Sequence, residues 1–579
     1  MDRDLSQQQI RQLLVDQVID EEYDAESELS DVSDSGDNDP FLIQTQDEEI
    51  FDESDESEFD DSSNNTDSNS ESNGIIVETP NEACYNSKDG TQKWQKTPEV
   101  DVRGRAAQQN IIPEVPGPTR HATRSTESIS DCFFLFMKQD IIEDICKWTN
   151  QKGLLKFHSN WKDVTAAEMR KYFGVLILSG VYKSKNEDMK QLWNLTDGRP
   201  VFNKIMTRNR FSELTSCLRF DNAEERHRDA ENEARDKIGP IRKVFDSWNK
   251  NLLQPYVPGV DLTIDEQLIT FRGRCPFRQY IPSKPGKYGI KKWVICDSLT
   301  SYVLKMDIYK GKEVHQSRQV NLGEKVVLNL VEPFKRSGRN ITCDNFFTSL
   351  GLARKLLNDN LTVVGTIRKN KKELPKEFVT AKKRSVLSTM YGFQKDAMIC
   401  SYCPKKGKIV LLLSSLHLEK GPEQGASRKP EIIIDYNKCK GGVDTMDQMV
   451  RTFSVKRMTR RWPMVVFYNM IDVSALNATV LWTWLNKGNS NFQKKGPILR
   501  RFLLLKLAKE MAGIQEGTTN NLSGINISSG YHTEEGAHAK KKRCFICPSA
   551  KNRKSRSVCV KCSRNVCGEH SNLICKTCM

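Results

Sequence analysis

The sequence predicts a multidomain chain. A mixed α/β domain is set between helical segments, followed by a small cysteine-rich domain and preceded by an acidic N-terminal tail. Three observations predict it. Apolar spacing changes from helical to strand period near residue 260, then returns to helical after about 440. Seven of the 17 cysteines lie between Cys544 and the last residue. Residues 1–80 carry 26 Asp and Glu against only Arg3 and Arg11, a net charge of −24. A chain of 579 residues also exceeds what one hydrophobic core serves.

In chain order, residues 1–115 read as an acidic disordered tail and linker. SDESEFDDSSNNTDSNSESN (54–73) has too little apolar surface to fold. LSQQQIRQLLVDQVID (5–20) allows one short amphipathic helix. The N-terminus lacks an apolar h-region, so no secretory signal is expected. Helical patterns follow in CFFLFMKQDIIEDICKW (132–148), TAAEMRKYFGVLILSGVY (165–182) and IGPIRKVFDSWNKNLL (238–253). Thr165, with Glu168 three residues on, is a capping-box start. DLTIDEQLITFRG, KKWVICDS, SYVLKMDIYKG, NITCDNFFTS and LTVVGTIR then read as strands, with a helix at 349–360 crossing between the last two. A hairpin is expected in AMICSYCPKKGKIVLLLSSLH (397–417), and a helix after the two glycines of GGVDTMDQMVRTF. VVFYNMIDVSALNATVLWTWL (465–485) is long and apolar, but Asp472, Asn469 and Asn477 are costly in lipid, which points to a core helix.

Acidic residues stand at the ends of these elements. Asp265, with Glu266 beside it, interrupts LTIDE. Asp344 ends NITCD. Asp444 and Asp447 are three apart and share one face of a helix start. Asp is routinely a turn or cap residue. Carboxylates converging from two strands and a helix could instead hold Mg²⁺, which takes hard oxygen ligands. Two such ions ~3.5–4 Å apart activate an attacking oxygen and stabilise a leaving one at a phosphodiester. The charge supports a polyanion partner, because the other 499 residues hold 86 basic against 49 acidic residues, a net of +37. A solvated basic face is the plainer alternative.

TIDEQLITFRGRCPFRQYIPSKPGKYGIK (263–291), NITCDNFFTSLGLARKLL (340–357), YNKCKGGVDTMDQM (436–449) and RRWPM (460–464) together resemble the piggyBac family of DNA transposases, from about residue 125 to the C-terminus. The resemblance implies a ribonuclease H-like catalytic domain, its halves at 261–370 and 434–456, with an insertion subdomain at 371–433. It implies an α-helical dimerisation and DNA-binding domain split around it, at 116–260 and 457–535. The three catalytic aspartates then fall on Asp265, Asp344 and Asp444, the ligands of two Mg²⁺ per active site, and Asp447 is a fourth acidic residue associated with activity. Such enzymes are cut-and-paste transposases. They nick transposon ends, form hairpins across TTAA overhangs and join the ends to TTAA target DNA, so a nuclear homodimer acting on double-stranded DNA is expected. The alternative is a domesticated, transposase-derived DNA-binding regulator without catalysis.

RTFSVKRMTRRW places Arg451, Lys456, Arg457, Arg460 and Arg461 just after the third carboxylate, where a phosphate-backbone clamp is expected. RKNKK adds Arg368, Lys371 and Lys372, and KYGIKK (287–292) adds further charge. Trp462 could stack on an unpaired base or merely pack ahead of the next helix. Near the C-terminus, Cys544 and Cys547, Cys559 and Cys562, Cys567 and His570, and Cys575 and Cys578 form four x2-spaced pairs in 540–579, enough for two structural Zn²⁺. The short spacers suit a cross-brace, with sequential pairing as the alternative. KKKR (540–543) and KNRKSR (551–556) could bind phosphates or direct nuclear import.

Overall fold

A computed structural model of the chain describes residues 84–98, 112, 114–226 and 236–514, apart from breaks at 283, 285, 312–320, 383, 426–427 and 488–495. It adds short stretches within 8–13 and 542–575. The chain divides into two units, Met1–Gln515 and Glu516–Met579.

The larger unit is built on an 11-stranded mixed sheet. Its strands are β1 (Cys84–Asn86), β2 (Lys93–Gln95), β3 (Asp261–Thr270), β4 (Gln279–Tyr280), β5 (Tyr288–Asp297), β6 (Val303–Ile308), β7 (Asn340–Cys343), β8 (Thr362–Thr366), β9 (Thr389–Phe393), β10 (Met398–Lys405) and β11 (Lys408–Ser414). Their order is β1-β2-β9-β10-β11-β8-β7-β3-β5-β4, with β6 paired to β5. β7 lies between two parallel partners, β3 and β8. Parallel strands are covered on both faces, which is why NITC is buried along its whole length.

The longer helices that frame this sheet are α1 (Ile129–Phe134), α2 (Gln139–Phe157), α3 (Ala166–Val181), α4 (Gly239–Leu253), α5 (Leu322–Val331), α6 (Leu350–Asn358), α7 (Glu431–Cys439), α8 (Gly442–Thr452), α9 (Trp462–Leu485) and α10 (Gly496–Met511). The single helix expected over 132–148 is two. Ser128 and Asp131 close a capping box at the start of α1, and Lys138, in extended conformation, restarts the chain as α2. Thr165 caps α3 by accepting the Glu168 N–H. α6 makes the expected crossover between β7 and β8, its first turn capped by Ser349. α9 is buried along nearly all its length, with Pro463, Trp482 and Leu485 half-buried. Its polar residues are matched: Asn469 accepts from Lys292 Nζ, Asn477 bridges both backbone groups of Val303, and Asp472 accepts from Ser454 and the Val455 N–H. A core helix tolerates such residues because each finds a partner.

Two boundaries read from composition differ in the structure. Residues 371–433, expected as an insertion subdomain, contribute β9, β10 and β11 to the same sheet, with β11 antiparallel to β8. The linker read over 1–115 contains β1 and β2, which extend that sheet at its edge through Gln95 and Phe393. Trp94 is fully buried there and donates to the Glu373 carbonyl. A short hairpin in a polar stretch gives little periodic signal, so only long-range pairing reveals it.

In the smaller unit, Lys542–Arg543 pairs with Lys554–Ser555 and Ser571–Asn572 with Ile574–Cys575. Cys544 and Cys547 are buried directly after the first of these strands. Cys559, Cys562, Cys567, His570, Cys578 and the side chain of Cys575 lie outside the described residues. None of the ten cysteines in the body is in a disulfide.

Candidate active site

The sheet register brings the first two aspartates together. The last residues paired between β3 and β7 are Ile264 and Cys343, so the next residue on each parallel strand is a carboxylate, Asp265 and Asp344. Neighbouring strands lie about 4.8 Å apart. The mutual charge is felt: burial first, then Glu266 and Asp344, push the Asp265 carboxyl well above the usual range. Asp344 is also a turn residue. Its side chain accepts the Phe346 N–H at 2.9 Å, and its carbonyl accepts from Thr348. The turn reading of this residue therefore holds, and the same turn sets its carboxylate beside Asp265. Phe346 stacks on Trp293 at 5.3 Å and Phe347 is buried, which holds the turn from behind.

The third aspartate arrives on α8. A Cβ on Gly442 would stand 2.6 Å from Thr263 Oγ1, so the helix start packs directly on β3, two residues before Asp265. Asp444, in the first turn, is largely exposed. Lys284 Nζ links it to the strand, 3.9 Å from Asp444 and 3.3 Å from Glu266. Asp447, one turn on, is turned toward β3. Gln267 donates to it at 2.8 Å and Arg451 pairs with it at 3.2 Å, and its burial raises its pKa. Among the described residues, no three His, Cys, Asp or Glu side chains stand close enough to clasp an ion as they are. The donor set is nonetheless hard oxygen throughout, and the repulsion raising Asp265 is what a dication relieves.

The chain is similar to known proteins. The family described as Transposase IS4 matches residues 128–479. The cryo-EM structure of the piggyBac transposase synaptic complex with hairpin DNA superposes with a TM-score of 0.63 at 36% identity, over 80% of this chain and 100% of that one. The chain belongs to the piggyBac transposase family. Human piggyBac transposable element-derived protein 3 is 25% identical over 392 residues, covering 64% of this chain and 62% of the relative. Human piggyBac transposable element-derived protein 2 is 24% identical over 365 residues, 60% of each. The chain thus spans about three fifths of the length of these curated relatives.

In this piggyBac-family chain the residues expected to clamp DNA divide into two groups. Arg368, Lys372, Arg451 and Arg460 are exposed, and Arg368 donates to Asn345, next to Asp344. Lys371 is half-buried. The others are held by the protein itself. Lys456 Nζ donates to the carbonyl and hydroxyl of Thr270, Arg457 to the carbonyls of Ser184 and Glu187, and Arg461 to those of Thr215, Ser216 and Leu218. These three tie the segment after α8 to the sheet and the helices. Trp462 takes the packing role of its two readings, buried edge-on against Phe277 at 5.0 Å. Lys291 and Lys292, read as part of a basic run, are buried; Lys291 lies over the Trp293 ring at 4.1 Å. Sequence reasoning gave no role to Lys284 or Gln267, and read Lys291 only as part of a basic run. Only the fold pairs these residues with Glu266, Asp444 and Asp447.

Proposed function

We propose that this protein is a DNA transposase with a ribonuclease H-like catalytic domain. In this reading it cuts transposon ends and joins them to target DNA by phosphoryl transfer. The single observation that carries the reading is the register that sets Asp265 and Asp344 side by side, with Asp444 on the first turn of α8 joined to Glu266 through Lys284. Asp265, Asp344 and Asp444 would hold Mg²⁺, two ions per active site. Bound there, Mg²⁺ supplies an activated attacking oxygen and charge neutralisation at the leaving oxygen. The chain's own residues do the rest. β7, between two parallel partners, and β3, between parallel β7 and antiparallel β5, fix Asp265 within a strand and Asp344 at the turn directly after one. Gln267 and Arg451 hold Asp447 between α8 and β3, so Asp447 orients that helix. Exposed Arg368, Lys372, Arg451 and Arg460 and half-buried Lys371 would contact DNA phosphates, and a rigid clamp raises the effective concentration of the scissile bond.

Nicking, hairpin formation at TTAA overhangs and joining to TTAA targets are one in-line displacement with different oxygen nucleophiles, so a single site serves all three. Two ends must be cut together, which calls for a homodimer, and the double-stranded DNA substrate calls for a nuclear protein. The C-terminal pairs, Cys544 and Cys547 through Cys575 and Cys578 with His570, would hold two structural Zn²⁺. The burial of Cys544 and Cys547 at the end of a paired strand supports this. The test is purified protein with Mg²⁺ and a labelled TTAA-flanked transposon end. Nicks and hairpins are expected, with at least a thousandfold loss in Asp344→Asn at unchanged melting temperature. DNA binding without cleavage in the unaltered protein would leave the regulator reading instead, the one consistent with relatives named as transposable element-derived proteins.

A further inference from the structure

Lys284 stands where the carboxylates face one another. Its ammonium is 3.3 Å from Glu266 Oε1 and 3.9 Å from Asp444 Oδ1, and its side chain is 24% exposed, against 69% for Asp444. The charge of Asp265 acts on it as well, between those of Glu266 and Asp444 in strength. Glu266 does not depend on Lys284 alone, because buried Lys291 also balances it from the neighbouring strand. Asp444 differs: Lys284 is the cation with which it makes an ion pair among the described residues. The single positive charge thus bridges the rigid strand and the helix that carries the third aspartate.

We infer that Lys284 is a tethered counter-cation of the carboxylate cluster, which competes with divalent ions for Asp444 and turns to a DNA phosphate when they bind. The inference rests on the reading of Asp265, Asp344 and Asp444 as metal ligands. Its physical basis is charge balance. A monovalent ammonium beside Asp444 holds α8 against β3, and it also lowers the negative potential that attracts a dication. A phosphate arriving with the substrate offers the ammonium a new partner. DNA and metal then favour each other's binding, and the coupling is reciprocal.

The full-length protein is titrated with Mn²⁺, free ion being read by electron paramagnetic resonance, with and without a short transposon-end duplex. Lys284→Met is expected to bind Mn²⁺ on the order of tenfold tighter than the unaltered protein without DNA, and Lys284→Arg to stay close to the unaltered protein. The duplex should tighten Mn²⁺ binding in the unaltered protein several-fold more than in Lys284→Met. Lys284→Gln repeats the measurement if the methionine variant does not fold. Equal or weaker Mn²⁺ binding in the neutral variants, with normal binding in the unaltered protein, overturns the role of Lys284 alone. If the unaltered protein binds no Mn²⁺ at this site, or Asp344→Asn binds as well as it does, the metal reading falls and this inference with it.

Discussion

Two buried ionisable side chains give the folded chain a pH signature. Lys292 is wholly buried on β5, with Asn469 accepting from its ammonium, and burial brings its pKa down to about 7. Between that value and the ordinary lysine pKa of about 10.4 the unfolded chain binds the extra proton, so stability rises with pH through this window. Asp472 behaves in the opposite sense. Burial lifts its carboxyl to about 7, against bonds from Ser454 and the Val455 N–H that favour the anion. Its contribution is full below the unfolded carboxylate pKa of about 3.9 and is lost as pH rises through 7. Melting temperatures of Lys292→Met should lose the alkaline slope, and those of Asp472→Asn the acidic one. Unchanged slopes in both variants would show that neither group titrates in this way.

At the level of elements, the contact between α8 and β3 decides whether the third aspartate meets the other two. Gly442 permits it, since a Cβ there meets Thr263 Oγ1 at 2.6 Å, Thr263 Cβ at 3.0 Å and Cys296 Sγ at 3.2 Å. Gly442→Val must push the helix start off the strand. Cleavage is expected to fall on the order of a hundredfold, because a displacement of about 1 Å at a reacting centre has that effect. Single-turnover cleavage against a melting curve separates this from unfolding; equal activity at equal stability would mean that the helix position is not critical. The same element shows how much of the site could be read beforehand. GGVDTMDQ gave the helix and put Asp444 and Asp447 on one face. It could not show that Gln267 and Arg451 draw Asp447 aside while Asp444 meets Lys284, because those partners lie 180 and 160 residues away or one turn on.

Across the whole molecule, charge and cysteines are segregated along the chain. Removing residues 1–80 takes away a net −24 from a protein whose remainder carries +37. Nonspecific DNA affinity of the truncated protein should rise at low salt and converge with that of the full chain as salt screens the tail. Equal affinity at low salt would show that the tail does not act on DNA binding. Zinc per chain, measured on the purified protein, should be near two, and chelation should lower binding to transposon ends without abolishing Mg²⁺-dependent nicking of DNA already bound. A content near zero would refute the zinc reading.

The sequence by itself determined the elements and the chemistry available to them. Strand and helix periods, the cap at Thr165, and Asp344 and Asp444 at element ends follow from local rules that a few neighbouring residues satisfy; Asp265, read at a strand end, lies within β3. Tertiary structure alone decided which of those residues meet. Parallel register set Asp265 beside Asp344, and long-range pairing drew β1, β2 and the 371–433 strands into one sheet. Burial turned Lys291, Lys292, Arg457 and Arg461 from apparent surface charges into partners of rings, side-chain oxygens and carbonyls. The physical reason is that a charge pattern looks the same in sequence whether its groups end in water or against a backbone oxygen. Only the packing of distant segments settles which.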